Sequence, residues 1–130
     1  MNRLDLKNLK YLDKEIKRLR QRVEELQTAA ESCTQQLTGM PKSRKSNDLR
    51  ERLIETKEKY ENLIAERELQ KIAIENELYE IDDVLIREIF MRKFVDGCSW
   101  GQTARKVGGM NTRDSVRKMA NRFMKRKGWN

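Results

Sequence analysis

The chain has 130 residues, of which 38% are charged and 37% apolar, and its formal net charge is +8. This composition excludes a large globular core and is typical of long exposed helices. No apolar run is long enough to cross a bilayer, two cysteines do not make a disulfide framework, and the first residues do not form a secretory signal. We therefore expect a cytoplasmic protein that does not bind a membrane.

Apolar residues recur at alternating steps of three and four over residues 9–37, which predicts a first long helix with a coiled-coil seam. Cys33 falls on this seam, so we interpret it as a small buried hydrophobe and not as a reactive thiol. Position a of the heptad is assigned to Leu9, Ile16, Val23, Ala30 and Leu37, and position d to Leu12, Leu19, Leu26 and Cys33.

The seam ends in the segment TGMPKSRKSND, for which we predict a loop over residues 39–47. Gly39 suits the left-handed conformation that often follows a helix, and Pro41 cannot continue one. A capping-box pattern that begins at Asp48 predicts that a second helix starts at Asn47 or Asp48.

The second helix is predicted from Leu49 to about Glu80, with a weaker seam than the first. Arg67 and Gln70 interrupt the apolar pattern, and polar seam residues commonly set the register or the oligomeric state of a coiled coil. The other seam positions are Leu49, Leu53, Thr56, Tyr60, Leu63, Ile74, Leu78 and Ile81.

Charge favours a long antiparallel hairpin, a coiled coil of these two helices. Residues 1–22 carry a net charge of +5 and residues 66–83 a net charge of −5, and a fold at the loop places the two segments side by side. Branched residues at position a and leucines at position d instead favour a parallel dimer through the first helix. Both patterns are satisfied when the hairpin pairs with a second copy in a four-helix bundle, so we predict a homodimer formed through residues 1–80.

The last part of the chain changes pattern and predicts a helix-turn-helix domain over residues 81–130. The first predicted helix of this domain carries a wide apolar stripe of Val84, Leu85, Ile89, Phe90 and Phe94. A short helix capped by Ser99 follows from Trp100 to Val107 and leads to a turn at Gly108-Gly109. A final helix, capped by Asn111 or Thr112, ends near Lys127. Asp82 and Asp83 precede the first of these helices, where the helix dipole favours acidic residues. The predicted inner faces are Trp100, Ala104 and Val107 against Val116, Ala120 and Phe123.

The entire charge excess lies at this end, because residues 99–130 hold nine basic side chains and one acidic one. A basic patch on the outer face of the second helix of such a motif favours double-stranded DNA as the partner. Arg and Asn side chains can form paired hydrogen bonds with guanine and adenine edges, whereas Lys side chains contact phosphates. The candidate DNA-binding residues are Thr112, Arg113, Asp114, Arg117, Lys118, Asn121, Arg122 and Lys125.

The stretch IREIFMRKFVDGCSWGQTARKVGG, followed by TRDSVRKMANRFMKR, resembles region four of bacterial sigma factors. It is more similar still to the small sigma-region-four-like regulators encoded by phages and prophages of Gram-positive bacteria. The matching pieces are residues 94–100, Thr103-Ala104, Val107-Gly108 and Ser115-Val116-Arg117, and the resemblance covers residues 84–126. It implies a sequence-specific transcriptional regulator, an activator that acts at promoters in a bacterial cell with host RNA polymerase as a further partner.

Two departures limit what the resemblance implies. Gly108 and Val116 are eight residues apart, whereas about six separate the corresponding residues of sigma proteins, so we expect a differently tilted recognition helix and do not transfer the sigma contact scheme. The first two thirds of the chain also show nothing of the sigma regions that bind core polymerase or melt the promoter. We therefore expect a protein that recruits or modifies polymerase and does not replace a full sigma factor.

Two other functional classes stay open. One is a phage DNA-packaging protein of the small-terminase type, which also joins a helix-turn-helix to a helical hairpin but often places the DNA-binding part first. The other is a coiled-coil adaptor without specific DNA binding. The chain has no histidine, no zinc-type cysteine spacing and no nucleophile with a base, so we expect no enzyme, no metal site and no cofactor.

Overall fold

The computed structural model describes the backbone of residues 1–36 and 44–130 and the side chains of residues 1–33 and 47–130. All regular structure in these ranges is helical, which confirms the all-α class. The helices are α1 (Arg3–Gln36), α2 (Arg44–Tyr79), α3 (Val84–Phe90), α4 (Trp100–Val107) and α5 (Arg113–Lys127), with a π-helical stretch, Met91–Val95, directly after α3. The predicted hinge residues Gly39 and Pro41 lie outside the described part of the chain.

Most of the predicted seam of α1 is buried. Leu9, Ile16, Leu19, Leu26 and Ala30 are at most 8% exposed, as a three-four repeat of apolar residues on one helix face requires. The rest of the described seam, Leu12, Val23 and Cys33, is partly buried, and Leu37 lies outside the described residues. Cys33, which the seam pattern predicts to be a small buried hydrophobe, is thus only partly buried.

The start of α2 was predicted too late. The helix begins at Arg44, so Asp48 lies inside the helix and is not its N-cap, and the last part of the predicted 39–47 loop is helical. Residues 44–47 contain neither glycine nor proline, and Arg and Lys are good helix formers, so nothing stops the helix from extending upstream of the capping pattern. Leu49, which was placed on the seam, is 51% exposed.

The chain divides into two compact units that group distant segments. The larger unit contains residues 1–13 and 70–130, and the smaller unit contains residues 14–69. The predicted functional division between residues 80 and 81 stays a prediction. Packing, however, groups the first thirteen residues with the C-terminal helices.

Ion pairs in the larger unit show that the start of α1 and the end of α2 run in opposite directions. The amino terminus of Met1 lies 3.8 Å from Glu77, and Asp13 lies 3.0 Å from Lys71. The first pair has the predicted order of charge, with the cation on the N-terminal segment, and the second pair has the reverse order. Because exposed ion pairs contribute only about 0–1 kcal/mol each, apolar packing must set this alignment.

The smaller unit shows the same mixture of charge order. Arg20 pairs with Glu68 as the net charges predict, whereas Glu15 accepts a 3.0 Å hydrogen bond from Arg67, a residue that interrupts the predicted seam of α2. The Arg67 side chain is 29% exposed and the Glu15 side chain is 35% exposed, so this ion pair is partly withdrawn from water.

The core of the larger unit joins both ends of the chain. Leu6 and Leu9 of α1 are each 1% exposed, and they belong to one apolar cluster with Leu78 and Ile81 and with the C-terminal helices. The other buried members are Ile86, Ile89, Phe90, Phe94, Ala104, Val116, Ala120, Phe123, Met124 and Trp129. The predicted inner faces of α4 and α5 are part of this cluster, with Trp100 and Val107 at its edge.

The apolar stripe of α3 is narrower than predicted. Val84 is 68% exposed and Leu85 is 38% exposed, whereas Ile86, Ile89 and Phe90 are buried. The Asp83 side chain accepts a 3.1 Å hydrogen bond from the Ile86 amide and so caps the helix. The sequence placed this acidic residue near the helix start for its favourable interaction with the helix dipole and did not identify the cap. Because this cap starts the helix at Val84, the core-facing residues are Ile86 and the residues three and four positions after it, Ile89 and Phe90.

An aromatic group at the centre of the larger unit includes a residue that the sequence analysis did not assign. Trp129, which follows α5, is 9% exposed and packs edge-to-face on Phe90 and Phe123 at ring distances of 5.9 and 5.5 Å. Gly128 ends α5 with a φ of 75°, and its left-handed conformation turns the chain so that Trp129 returns to the core.

Candidate nucleic-acid interface

The helix α5 is held at both its start and its buried side. Thr112 is the N-cap, because its hydroxyl accepts a hydrogen bond from the Ser115 amide while the Ser115 hydroxyl accepts one from the Thr112 amide. Val116 and Ala120 are fully buried against the core. These contacts fix which side of α5 faces outward, so the exposed side chains are presented by a rigid helix.

The connection from α4 to α5 depends on glycine. Ser99 caps α4 in a reciprocal pair with Gln102, as the predicted bounds of this helix require. At the other end Gly108 has a φ of 72°, a conformation that side chains with a Cβ rarely adopt. The Asn111 side chain donates a 3.0 Å hydrogen bond to the Gly108 carbonyl, which closes the turn before Thr112.

All eight predicted DNA-binding residues are exposed on α5 or at its N-cap. Lys118, Arg122 and Lys125 follow one another at steps of four and three, so they form a basic row on the side of α5 opposite to the core. Thr112 uses its hydroxyl in the cap, and Asp114 lies 3.6 Å from Arg117, so these two acceptors are engaged within the helix.

Arg117 and Asn121 lie on a different side of α5, next to the start of α1. The Asn121 side-chain oxygen is 3.5 Å from the Arg3 guanidinium, which donates to it. Both α5 residues line a cavity of about 600 Å³ within the larger unit, which we call the α1–α5 cleft. Its described lining is Arg3, Leu4, Leu6, Lys7, Asn8, Lys10 and Tyr11 of α1, Lys93, Phe94, Gly97, Cys98 and Trp100, and Arg117, Asn121 and Met124 of α5.

The basic surface therefore includes residues that the sequence analysis assigned only to a hairpin. Arg3, Lys7 and Lys10 reach the site because Leu6 and Leu9, on the same turns of α1, are buried in the core of the larger unit. Lys93 joins them from the π-helical stretch, and its ammonium lies 4.9 Å from the centre of the Trp100 ring. The sequence pattern placed Leu9 on a buried seam and did not assign Leu6, and nothing in it indicated a partner more than a hundred residues away.

Two neighbouring cations of the π-helical stretch have opposite surroundings. Burial, and then the charge of Lys10, lowers the pKa of Lys93. A hydrogen bond from Arg92 to Glu88 and the charge of that carboxylate raise the pKa of Arg92, with Asp96 adding to the effect. Arg92 is thus neutralised locally, whereas Lys93 adds uncompensated positive charge to the cleft.

In the described part of the chain, no cluster of three or more His, Cys, Asp and Glu side chains is placed to hold a metal ion. Cys98 is buried and Cys33 is partly buried, both as free thiols. None of the described helices is both long and apolar enough to span a bilayer.

Comparison with known proteins adds no assignment to this geometry: no family model matches the chain, and neither the curated proteins nor the solved structures give a match.

Proposed function

We propose that this chain is a sequence-specific DNA-binding transcriptional regulator. In this proposal α4 and α5 form a helix-turn-helix, and α5 lies in the major groove of double-stranded DNA. The observation that carries the proposal is the sidedness of α5. Val116, Ala120 and Phe123 face the core, and Lys118 and Arg122 are presented to solvent on the opposite side.

The residues divide into two roles. The basic row of Lys118, Arg122 and Lys125 contacts phosphates and supplies affinity that does not depend on sequence. Arg117 and Asn121 carry the groups that form paired hydrogen bonds with base edges, and they supply specificity. Arg3 and Lys7 of α1 line the α1–α5 cleft beside Arg117 and Asn121 and are not part of the basic row.

The resemblance of residues 84–126 to sigma region four supports a more particular function. The protein is then a phage or prophage activator that acts at promoters together with host RNA polymerase in the bacterial cytoplasm. The two long helices form an antiparallel hairpin that pairs with a second copy. Support for this pairing comes from Ile72 and Tyr79, which are 49% and 60% exposed and lie seven residues apart on α2, as on one face of a coiled coil.

The first test is sequencing of the genomic and phage DNA fragments that the purified protein retains at physiological salt. Fragments that share a motif and lie just upstream of promoters are the expected result. Fragments clustered at a packaging site would instead favour the small-terminase class, and large rings in solution would support that reading. Retained fragments with the same sequence distribution as the input DNA would contradict sequence-specific DNA recognition and favour the adaptor class.

Substitutions then test the assignment of roles. Arg117→Ala combined with Asn121→Ala is expected to reduce the preference for the motif over random DNA about tenfold or more, because each paired base contact discriminates by about 1–3 kcal/mol. Lys125→Ala is expected to weaken binding to every sequence and to reduce the slope of log affinity against log salt by about 1. Lys59→Ala, an exposed site in the smaller unit, is the matched control. An unchanged preference in the double variant would contradict the site.

A further inference from the structure

The α1–α5 cleft concentrates positive charge. Arg3, Lys7, Lys10, Lys93 and Arg117 line it, and its described lining contains no aspartate or glutamate, although Asp114 outside the cleft lies 3.6 Å from Arg117. Five cations around one cavity repel one another, and walls of low dielectric constant strengthen their field. Such a surface attracts an anion with more than one negative charge.

One of these cations has an unsatisfied donor inside the protein. The Arg3 Nε atom is buried and has no hydrogen-bond partner, although the Nη2 atom of the same guanidinium reaches Asn121 at 3.5 Å. A buried N–H of a charged group without an acceptor is costly, so native proteins rarely keep one without a reason. The buried Nε atom is closed to the cleft, so the positive charge of this guanidinium acts on an anion there through its Nη atoms, of which Nη2 lies beside Asn121.

Lys93 gives a second sign of an anion site. Its ammonium is partly withdrawn from water and lies over the Trp100 ring, while Lys10 repels it, and burial followed by this repulsion lowers its pKa. The negative charge of a bound anion would oppose this lowering of the pKa, because it would favour the charged form of Lys93.

The walls of the cleft favour a small molecule over a nucleic-acid backbone. Leu6, Phe94 and Met124 are at most 9% exposed and form apolar lining, and Tyr11 and Trp100 add aromatic side chains. The cavity of about 600 Å³ lies within the usual range of small-molecule sites, about 300–1,000 Å³. The backbone of a DNA duplex is convex and polar, so apolar cleft walls would not stabilise its binding. A single base, in contrast, can stack on aromatic side chains such as those in the lining.

We propose that the α1–α5 cleft binds a nucleoside di- or triphosphate, with the phosphates on Arg3, Lys10 and Lys93 and the base against the aromatic lining. This inference goes beyond DNA binding and does not depend on it. Nucleotide binding is measured without DNA, so the failure of one proposal is distinguishable from the failure of the other.

The test is isothermal titration calorimetry of the purified full chain with ATP, AMP and inorganic tripolyphosphate. ATP is expected to bind one per chain and about tenfold or more tightly than AMP, which has fewer charges, and than tripolyphosphate, which has no base. Lys93→Met is expected to weaken ATP about tenfold, since one charge-assisted hydrogen bond is lost. Lys106→Met, an exposed lysine on α4 that does not line the cleft, removes the same charge and should change ATP affinity less than about twofold.

A second variant keeps the test decisive where Lys93→Met unfolds the protein. Lys10 is exposed on α1, so Lys10→Met should leave the fold intact and still weaken ATP several-fold. Absence of ATP binding at millimolar concentration would overturn the proposal. So would equal binding of ATP and tripolyphosphate, because the aromatic lining would then have no part. Loss of duplex DNA affinity in Lys93→Met without any nucleotide binding would show instead that the cleft holds DNA phosphates.

Discussion

Leu6→Ala is the substitution that best tests how this protein is held together. Leu6 is 1% exposed and packs in the core of the larger unit, although it lies at the opposite end of the chain from α3, α4 and α5. Removing three carbon atoms costs about 0.8 kcal/mol each in transfer free energy, and the cavity that remains adds to this. Measured Leu→Ala costs in cores are about 2–5 kcal/mol, so we expect a loss of about 3 kcal/mol in the free energy of unfolding.

The assay is urea unfolding followed by tryptophan fluorescence. Both tryptophans of the chain, Trp100 and Trp129, belong to the larger unit, so the signal reports that unit directly. With a slope of about 1–3 kcal/mol per molar urea, the expected loss lowers the midpoint by about 1–3 M. Leu4→Ala is the matched control, because Leu4 lies two residues away on α1 and is 61% exposed, and we expect a change within about 0.5 kcal/mol. Equal midpoints for the two variants would refute the reasoning that α1 completes the C-terminal core.

Three further predictions concern particular contacts. Trp129→Ala removes two edge-to-face aromatic contacts and a buried side chain, so it should lower the free energy of unfolding of the larger unit by about 3–5 kcal/mol. The same urea titration measures this loss, with Trp100 as the fluorescent reporter. A loss below about 1 kcal/mol would show that the residue after α5 is not part of the core. Thr112→Ala removes the N-cap of α5 and should cost about 1 kcal/mol, whereas Thr112→Ser keeps the cap and should cost much less; equal losses in thermal unfolding would contradict the capping role. Ile72→Glu should convert the proposed dimer to a monomer in light scattering at micromolar concentration, and a monomeric mass of the unsubstituted protein would refute the dimer itself.

The bounds of the two C-terminal helices could be read from local sequence. Ser99 and Thr112 cap α4 and α5 as predicted, and Gly108 ends α4, because capping and left-handed turns depend on residues within one helical turn. The buried seam of α1 was equally local, since a three-four repeat of apolar residues defines one face of a helix. The predicted start of α2 was wrong because good helix formers precede the capping pattern at Asp48. A capping pattern inside such a segment does not prevent the helix from extending upstream.

Only the tertiary structure decided what those faces pack against. The pattern showed that Leu9 is buried and did not show Leu6 at all, and neither revealed that both complete the core beneath α5. The same packing brings Arg3 to Asn121 and Lys10 to Lys93, so the charge of the α1–α5 cleft comes from segments that the sequence keeps far apart. Periodicity and capping record interactions between near neighbours in the chain, and that is why the sequence by itself determined the helices and the basic face of α5. The choice among long-range contacts depends on the shape and volume of the whole core, which local patterns do not contain.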